Sequence, residues 1–251
     1  MSHNILAISG NDIFSGGGLH ADLTTFALNG LHGFLALSCL TVLTDKGFEV
    51  LPIDARQVKQ QLDSLDEVSF QAIKIGLLPT VEVAKEVLAF IKNRTTTPVV
   101  LDPVLVCKEK HDLEVSQLRD ELIKFFPFVT IITPNLVEAQ LLTGMSITNL
   151  EDMKAACQRL HDLGAKEVVI KGGNRLDKET AIDVYYNGQT FDILESAVVD
   201  KNNIGAGCTF ASSIATYLAL GDGSLDAIKK AKVFVREAIE HSDEYGVVQY
   251  H

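Results

Sequence analysis

Short apolar runs alternate along this chain with segments whose apolar residues recur every three or four positions. The runs read as buried strands, and the periodic segments as helices with one inward face. Asn4 to Ser9 is the first run, and it stops at a turn-rich loop, Gly10-Asn11-Asp12-Ile13-Phe14-Ser15-Gly16-Gly17-Gly18. From Leu19 the spacing becomes helical, with Leu19, Leu23, Phe26 and Ala27 on one face. Phe34 to Val42 predicts a second strand. Asp54 to Val68 predicts a helix facing inward through Val58, Leu62 and Leu65. Ala72 to Ile75 is a strand closed by Gly76, Thr80 to Lys92 a helix, and Pro98 to Leu101 a strand running into Asp102-Pro103. Leu118 to Phe125 predicts a helix, Val129 to Ile132 a strand, and Asn135 to Leu142 a further helix.

Glu151 to Leu163 sets Met153, Ala156, Leu160 and Leu163 along one stripe, and Gly164 stops it before a strand at Glu167 to Ile170. Ile182 to Tyr186 and Thr190 to Leu194 flank Asn187-Gly188, a strong hairpin signal. Cys208 to Leu220 and Leu225 to His241 close the chain as two helices. Such alternation predicts an α/β fold, a mostly parallel central sheet with helices on both faces. No linker or internal repeat divides it, so residues 1–251 read as a single domain. Ligands of such sheets bind at the carboxyl ends of the strands. Asp12, Gly76, Asp102, Pro134-Asn135 and Lys171-Gly172-Gly173 all fall there.

The composition, 47% hydrophobic and 22% charged, is that of an ordinary globular protein. A formal net charge of −11 argues against a broad nucleic-acid surface. Lys229, Lys230 and Lys232 read as one solvated helix face. An anionic nucleotide is still acceptable, because local N–H groups and one or two lysines outweigh a distant field. The N-terminal MSHNILAISG lacks the basic start and apolar core of a signal peptide, and no apolar run reaches the ~18 residues of a membrane span. A cytoplasmic protein without membrane contact is expected. Cys39, Cys107, Cys157 and Cys208 form no CxxC pair, so neither zinc nor a disulfide framework is indicated.

Three segments suggest chemistry. In Asn203-Ile204-Gly205-Ala206-Gly207-Cys208-Thr209, small residues precede a long apolar helix. A phosphate can approach such a backbone, and the first helical N–H groups have no internal partner. The same position would lower the pKa of the Cys208 thiol; a tight loop with Cys208 packed in the core is the competing reading. In Leu101-Asp102-Pro103-Val104-Leu105-Val106-Cys107-Lys108, a strand-end carboxylate suits Mg²⁺ held through water, and a lysine follows; Asp102 could equally cap a turn. In Thr133-Pro134-Asn135-Leu136-Val137-Glu138, Asn135 and Glu138 form a capping-box pattern that explains both residues structurally. The opening glycine loop is not a Walker loop, since no Gly-Lys-Ser/Thr follows.

Taken in order, these segments resemble the pyridoxal kinase and hydroxymethylpyrimidine kinase branch of the ribokinase-like superfamily. The carriers are Ser9-Gly10-Asn11-Asp12 with Gly16-Gly17-Gly18 and Ala21-Asp22-Leu23, Lys74-Ile75-Gly76, Val100-Leu101-Asp102-Pro103-Val104, Thr133-Pro134-Asn135-Leu136 with Glu138-Ala139, Lys171-Gly172-Gly173, and Gly205-Ala206-Gly207-Cys208-Thr209. The resemblance spans Ile5 to Ala238 and implies a ribokinase-like three-layer fold. It implies an ATP-dependent kinase acting on pyridoxal, or on hydroxymethylpyrimidine in the sister branch. It also implies Mg²⁺, room for a monovalent cation, and a homodimer.

The resemblance assigns roles residue by residue. Gly205, Ala206 and Gly207 would form the anion hole, with Cys208 where many relatives carry an aspartate base. Asp102 and Glu138 would hold Mg²⁺ through water. Lys108, Asn135, Lys171, Gly173 and Thr209 would lie along the nucleotide. Gly10, Asp12, Gly18, Leu43 and the Lys74 to Leu77 strand end, including Gly76 and Leu77, would line the substrate pocket. Two departures stand out. Ile204 replaces a histidine usual before the glycine turn, and Leu43 stands where pyrimidine kinases carry a substrate-binding glutamine. Without that amide a pyrimidine loses a polar partner, which favours pyridoxal. Val106-Cys107-Lys108 together with Gly205 to Cys208 is similar to a dual-cysteine group of bacterial pyridoxal kinases. In that group the first thiol adds to the substrate aldehyde. A non-catalytic pyridoxal-binding protein and a thiol redox sensor are the readings from other classes; product formation from ATP separates them.

Overall fold

The computed structural model describes residues 3–105 and 112–250. Among the described residues ten strands and eight α-helices follow one another: β1 (Asn4–Ser9), α1 (Gly18–Leu28), β2 (His32–Leu37), β3 (Cys39–Thr44), β4 (Gly47–Pro52), α2 (Ala55–Asp63), β5 (Ala72–Ile75), α3 (Val81–Lys92), β6 (Val99–Leu101), α4 (Asp112–Ile123), β7 (Ile131–Ile132), α5 (Leu136–Thr143), α6 (Leu150–Asp162), β8 (Glu167–Lys171), β9 (Thr180–Tyr186), β10 (Phe191–Ala197), α7 (Ala206–Ala219) and α8 (Ser224–Glu240). Polar side chains start several helices by accepting the otherwise unpaired N–H groups of the first turn. Asp54 accepts from Arg56 at 2.9 Å, Thr80 from Val83 at 3.2 Å, and Asn149 from Asp152 at 2.9 Å.

Eight strands form one sheet in the order β10-β9-β8-β7-β6-β5-β1-β2. The six from β8 to β2 are parallel, while β9 and β10 run antiparallel to their neighbours. Alternation along each strand sends side chains to two cores. Leu6 and Ile8 join Ile73, Ile75 and the inward faces of α2 to α6. Ile5 and Ala7 join Ala72, Val100 and the faces of α1, α7 and α8. The result is the expected ribokinase-like sandwich of sheet between two helical layers. Chain direction across the sheet reverses at β1, which pairs with β2 on one side and β5 on the other. A crevice opens beyond the carboxyl ends of strands at such a point. No helix among the described residues is long and apolar enough to cross a membrane.

The run Phe34 to Val42 is not one strand but two, broken at Ser38. Ser38 donates its N–H to Ser9 O at 3.0 Å and its hydroxyl to Leu77 O at 2.6 Å. Those bonds turn the chain out of the sheet into a separate ribbon of β3 and β4. The ribbon is tied back over the opening loop by Thr41, whose N–H donates to Asn11 Oδ1 at 2.7 Å. The helix begun at Asp54 is also shorter than its pattern, giving way to turns after Asp63.

Candidate active site

Two loops interlock at the carboxyl ends of the strands. Gly205 has φ +86°, and a Cβ there would fall 1.6 Å from Gly16 O, so only glycine fits. A Cβ on Gly17 would lie 3.3 Å from Gly205 Cα, 3.5 Å from Asp12 Oδ2 and 3.7 Å from Cys208 Sγ. Asp12 fixes the opening loop, accepting from Gly17 N at 2.8 Å and from Phe14 N at 3.0 Å. The C-terminal segment straps the arrangement. Val247 N donates to Ile204 O at 2.9 Å, and the buried Gln249 amide donates to Thr209 Oγ1 at 2.8 Å. Unlike α2, α3, α5 and α6, helix α7 has no side chain capping its start. Its first-turn donors are therefore left to something other than a cap.

A second cluster gathers beside that helix start. Lys171 Nζ donates to Asp102 Oδ1 at 2.8 Å, and Thr133 Oγ1 donates to the same oxygen at 3.1 Å. A Cβ on Gly207 would come within 3.3 Å of Lys171 Nζ and 4.0 Å of Asp102 Oδ2, so the cluster faces the α7 turn directly. Glu138 completes the expected capping box: Asn135 Oδ1 accepts from Val137 N and Glu138 N, and Glu138 Oε2 accepts from Asn135 N at 2.8 Å. Burial pushes the Glu138 carboxyl up to about 7; Lys171 opposes the rise and the Asp102 charge adds to it. Lys171 is held above its ordinary value, because Asp102 and Glu138 outweigh the burial that disfavours its charge. One ammonium thus faces two carboxylates.

A cavity of about 290 Å³ opens on the far side of this cluster. Asn135, Lys171 and Gly207 line its inner wall, and Lys232, Arg236 and Ile239 of α8 line its outer wall. Lys232 corrects the sequence reading of a solvated lysine face. Its side chain is mostly buried and donates to Asp183 Oδ2 at 2.6 Å, while Lys230 remains exposed on Asp222. Sequence reasoning had no signal for Asp183 or Arg236, which come from distant elements. Nothing local to the Thr133 motif points to Asp102, 31 residues away, and nothing local to Gln249 points to Thr209, 40 residues away.

The Cys208 thiol departs from expectation. A helix start alone would lower its pKa, but burial pushes it up to about 11, against the pull of the Lys74 ammonium and the Gly18 N–H. Lys74 does not line the crevice as the resemblance implied; it is wholly buried and paired with Asp22. A Cβ on Gly10 would lie 2.3 Å from Cys39 Sγ and 3.7 Å from Leu77 Cδ2. A Cβ on Gly76 would lie 2.8 Å from Lys74 Nζ and 2.9 Å from Ser9 Oγ. Gly18, at φ +56°, packs on Gly10 O. Leu43 stands apart on the ribbon, 62% exposed. Gly173 follows β8 at φ +55°. Cys107 and Lys108 lie outside the described residues.

Comparison with known proteins agrees with this geometry. The Phosphomethylpyrimidine kinase family matches residues 12–251. The chain is similar to the pyridoxine kinase of Bacillus subtilis, 38% identical over 96% of this chain and 91% of that protein. It is as similar to the hydroxymethylpyrimidine/phosphomethylpyrimidine kinase of Aquifex aeolicus, 38% identical over 96% of both chains. Among solved structures, the ADP complex of Bacillus subtilis pyridoxal kinase superposes with a TM-score of 0.93 at 36% identity, covering 100% of this chain and 98% of that one. The chain therefore belongs to the phosphomethylpyrimidine kinase family and shares the ribokinase-like fold of its pyridoxal kinases.

Proposed function

We propose that this chain transfers the γ-phosphoryl group of ATP to the 5′-hydroxymethyl group of pyridoxal, forming pyridoxal 5′-phosphate in vitamin B6 salvage. The observation that carries it is the uncapped start of α7, set between the Lys171–Asp102–Glu138 cluster and the Asp12–Cys208 side of the crevice. Phosphoryl transfer is achieved mostly by positioning and charge neutralisation, and this arrangement supplies both. The Gly205 to Cys208 turn presents backbone donors to the transferring group. Lys171, Asn135, Gly173 and Thr209 hold the nucleotide side, next to the cavity under α8. Asp12, Gly10, Gly18, Gly76 and Leu77 shape the ring side, and Cys208 in its thiolate form accepts the hydroxyl proton as general base.

The residues fit Mg²⁺ held through water. Among the described residues no three His, Cys, Asp or Glu side chains enclose an ion, whereas Asp102 and Glu138 offer two carboxylates sharing one lysine. Magnesium keeps most of its water and needs only one or two carboxylates besides phosphate oxygens. When bound it neutralises phosphate charge. Asp102 and Glu138 would hold it, and Lys171 would remain beside them.

Hydroxymethylpyrimidine kinase is the second reading, supported by the family description and the Aquifex aeolicus relative. Purified protein, ATP and a panel of pyridoxal, pyridoxine and hydroxymethylpyrimidine decides between them. Turnover of pyridoxal supports the first reading; turnover of the pyrimidine alone replaces it. Only pyridoxal carries an aldehyde, so Cys107→Ala should damage pyridoxal turnover and spare pyridoxine. Equal loss for both removes the covalent role. Residues 1–251 act as one domain in this reading, which the single eight-stranded sheet holding both β1 and β10 supports. A homodimer is supported by Leu40 and Leu51, a cross-strand pair of the ribbon in which both side chains are exposed; light scattering of the purified protein tests it.

A further inference from the structure

Lys74 is an anomaly of the core. Its side chain is wholly buried on a central strand, where an unpaired ammonium would give up its proton. Its Nζ donates to both oxygens of Asp22, at 2.7 and 2.9 Å, and Ser212 donates its hydroxyl to Asp22 Oδ1. Burial disfavours the Lys74 charge, but the Asp22 carboxylate, with Cys208 and Asp102 beyond it, holds its pKa above the ordinary value. A buried pair of this kind is not explained by stability, since apolar residues of similar volume often serve as well.

Its placement is more informative. Asp22 lies one turn beyond Gly18 in α1, and Ser212 one turn beyond Cys208 in α7. At the upper turn a Cβ on Gly17 would lie 3.7 Å from Cys208 Sγ; at the lower turn the Ser212 hydroxyl donates to Asp22. Lys74 rises from β5 between the two helices, and its Nζ lies 2.8 Å from where a Cβ on Gly76 would stand. The positive end of the pair is therefore near the strand ends, where the crevice lies. The charged groups around the thiol are Lys74 from β5, Asp22 from α1, Asp102 beyond β6, Lys171 from β8 and Asp12 from the opening loop. Lys74 acts on it more strongly than Asp22 or Asp102 does, and Lys171 is already paired with Asp102.

We propose that Lys74 is a positioning residue for the transfer: clamped by Asp22 and Ser212, it keeps the first turns of α1 and α7 in register and serves as the buried counter-charge of the Cys208 thiolate. This rests on Cys208 as the base. The thiolate takes the hydroxyl proton and becomes a thiol, the substrate oxygen bonds to the γ-phosphorus, and the bond to the ADP oxygen breaks. Lys74 exchanges no proton.

The test compares wild type, Lys74→Met and the double variant Lys74→Met/Asp22→Leu. Iodoacetamide labelling of Cys208 is followed against pH without nucleotide, with peptide mass spectrometry reading that cysteine alone. The midpoint should rise by about one unit in Lys74→Met, the shift expected on losing a nearby opposite charge, and by less in the double variant, which also removes the opposing Asp22 charge. Labelling of Lys74→Met at pH 8 should then fall about tenfold. For pyridoxal turnover, kcat should fall while KM for ATP stays within about twofold, as for an interaction realised in the transition state. The double variant leaves no unpaired buried charge, so it tests the idea even where Lys74→Met does not fold. A Cys208 midpoint unchanged in a double variant of native Tm would overturn the proposal. Normal turnover by Cys208→Ala would instead defeat the base reading, whatever the labelling shows.

Discussion

Two lysine–carboxylate clusters lie within this site, and they are built differently. In the first, Lys74 meets one carboxylate, Asp22, whose remaining demand is met by Ser212, and both charged side chains are fully buried. In the second, Lys171 meets Asp102 and also faces Glu138, beside an open cavity. The first is neutral and closed. The second carries one negative charge too many when both acids are ionised, and Glu138 resists ionising for that reason as well as for its burial. A closed cluster holds structure together. A cluster with surplus charge and an opening is prepared for a cation and the anions it accompanies.

Substitutions can separate the two. The largest effect is expected between them, at Cys208. Cys208→Ala should lower kcat by roughly two to four orders of magnitude, the usual worth of a positioned base. Steady-state turnover of pyridoxal measures it, and near-normal kcat returns Cys208 to a packing role. In the closed cluster, Asp22→Ala strands a buried ammonium and should destabilise the fold by about 3–5 kcal/mol; urea unfolding reads this directly. In the open cluster, the same change at Asp102 should behave otherwise. Asp102→Ala should cost little stability, because Lys171 keeps Glu138 and the cavity opening. Yet it should lower Mg²⁺-dependent turnover by about a hundredfold or more, a loss of several kcal/mol of charge stabilisation, while binding of free pyridoxal is nearly unchanged. If Asp22→Ala and Asp102→Ala destabilise equally, the contrast between the clusters fails.

The smallest effect is a pH slope. The folded-state pKa of Glu138 is raised to about 7, above the ordinary glutamate value of about 4.3. The folded protein therefore binds this proton more tightly than the unfolded chain does. Its contribution to stability is fully present below about pH 4.3 and is lost as pH rises through about 7. Metal-free protein should show that loss in Tm between pH 5 and pH 8. Glu138→Gln should flatten the slope by about 2–4 °C for each kcal/mol removed. A slope unchanged in the variant would assign it to other groups.

Much of this molecule was legible in its residue pattern. The alternation of runs and helical stripes located β1, β5, β6, β8 and the long helices, because burial on two faces demands continuous apolar strands. The Asn135–Glu138 capping box was readable because both partners sit within one turn. The split at Ser38 was not readable. Phe34 to Val42 is apolar apart from Ser38 and Thr41, neither of them a turn signal, and the bonds that divide it go to Ser9 and Leu77. Ribbon strand β4 escaped notice for a related reason: its pairing partner β3 was itself hidden in that run.

The sequence by itself determined the α/β class, the order of the elements, and the glycine turns that point to phosphate. These are local properties, set by side-chain period and by backbone freedom within a few residues. Tertiary structure decided which charges meet. It buried Lys74 beneath the crevice wall on Asp22, 52 residues earlier in the chain. It joined Lys171 to Asp102 across 69 residues and Lys232 to Asp183 across 49. It also raised the Cys208 thiol where a helix start alone would have lowered it. The physical reason is common to all of these. The electrostatic state of a side chain depends on which distant groups share its low-dielectric surroundings, and only the assembled fold brings those groups together.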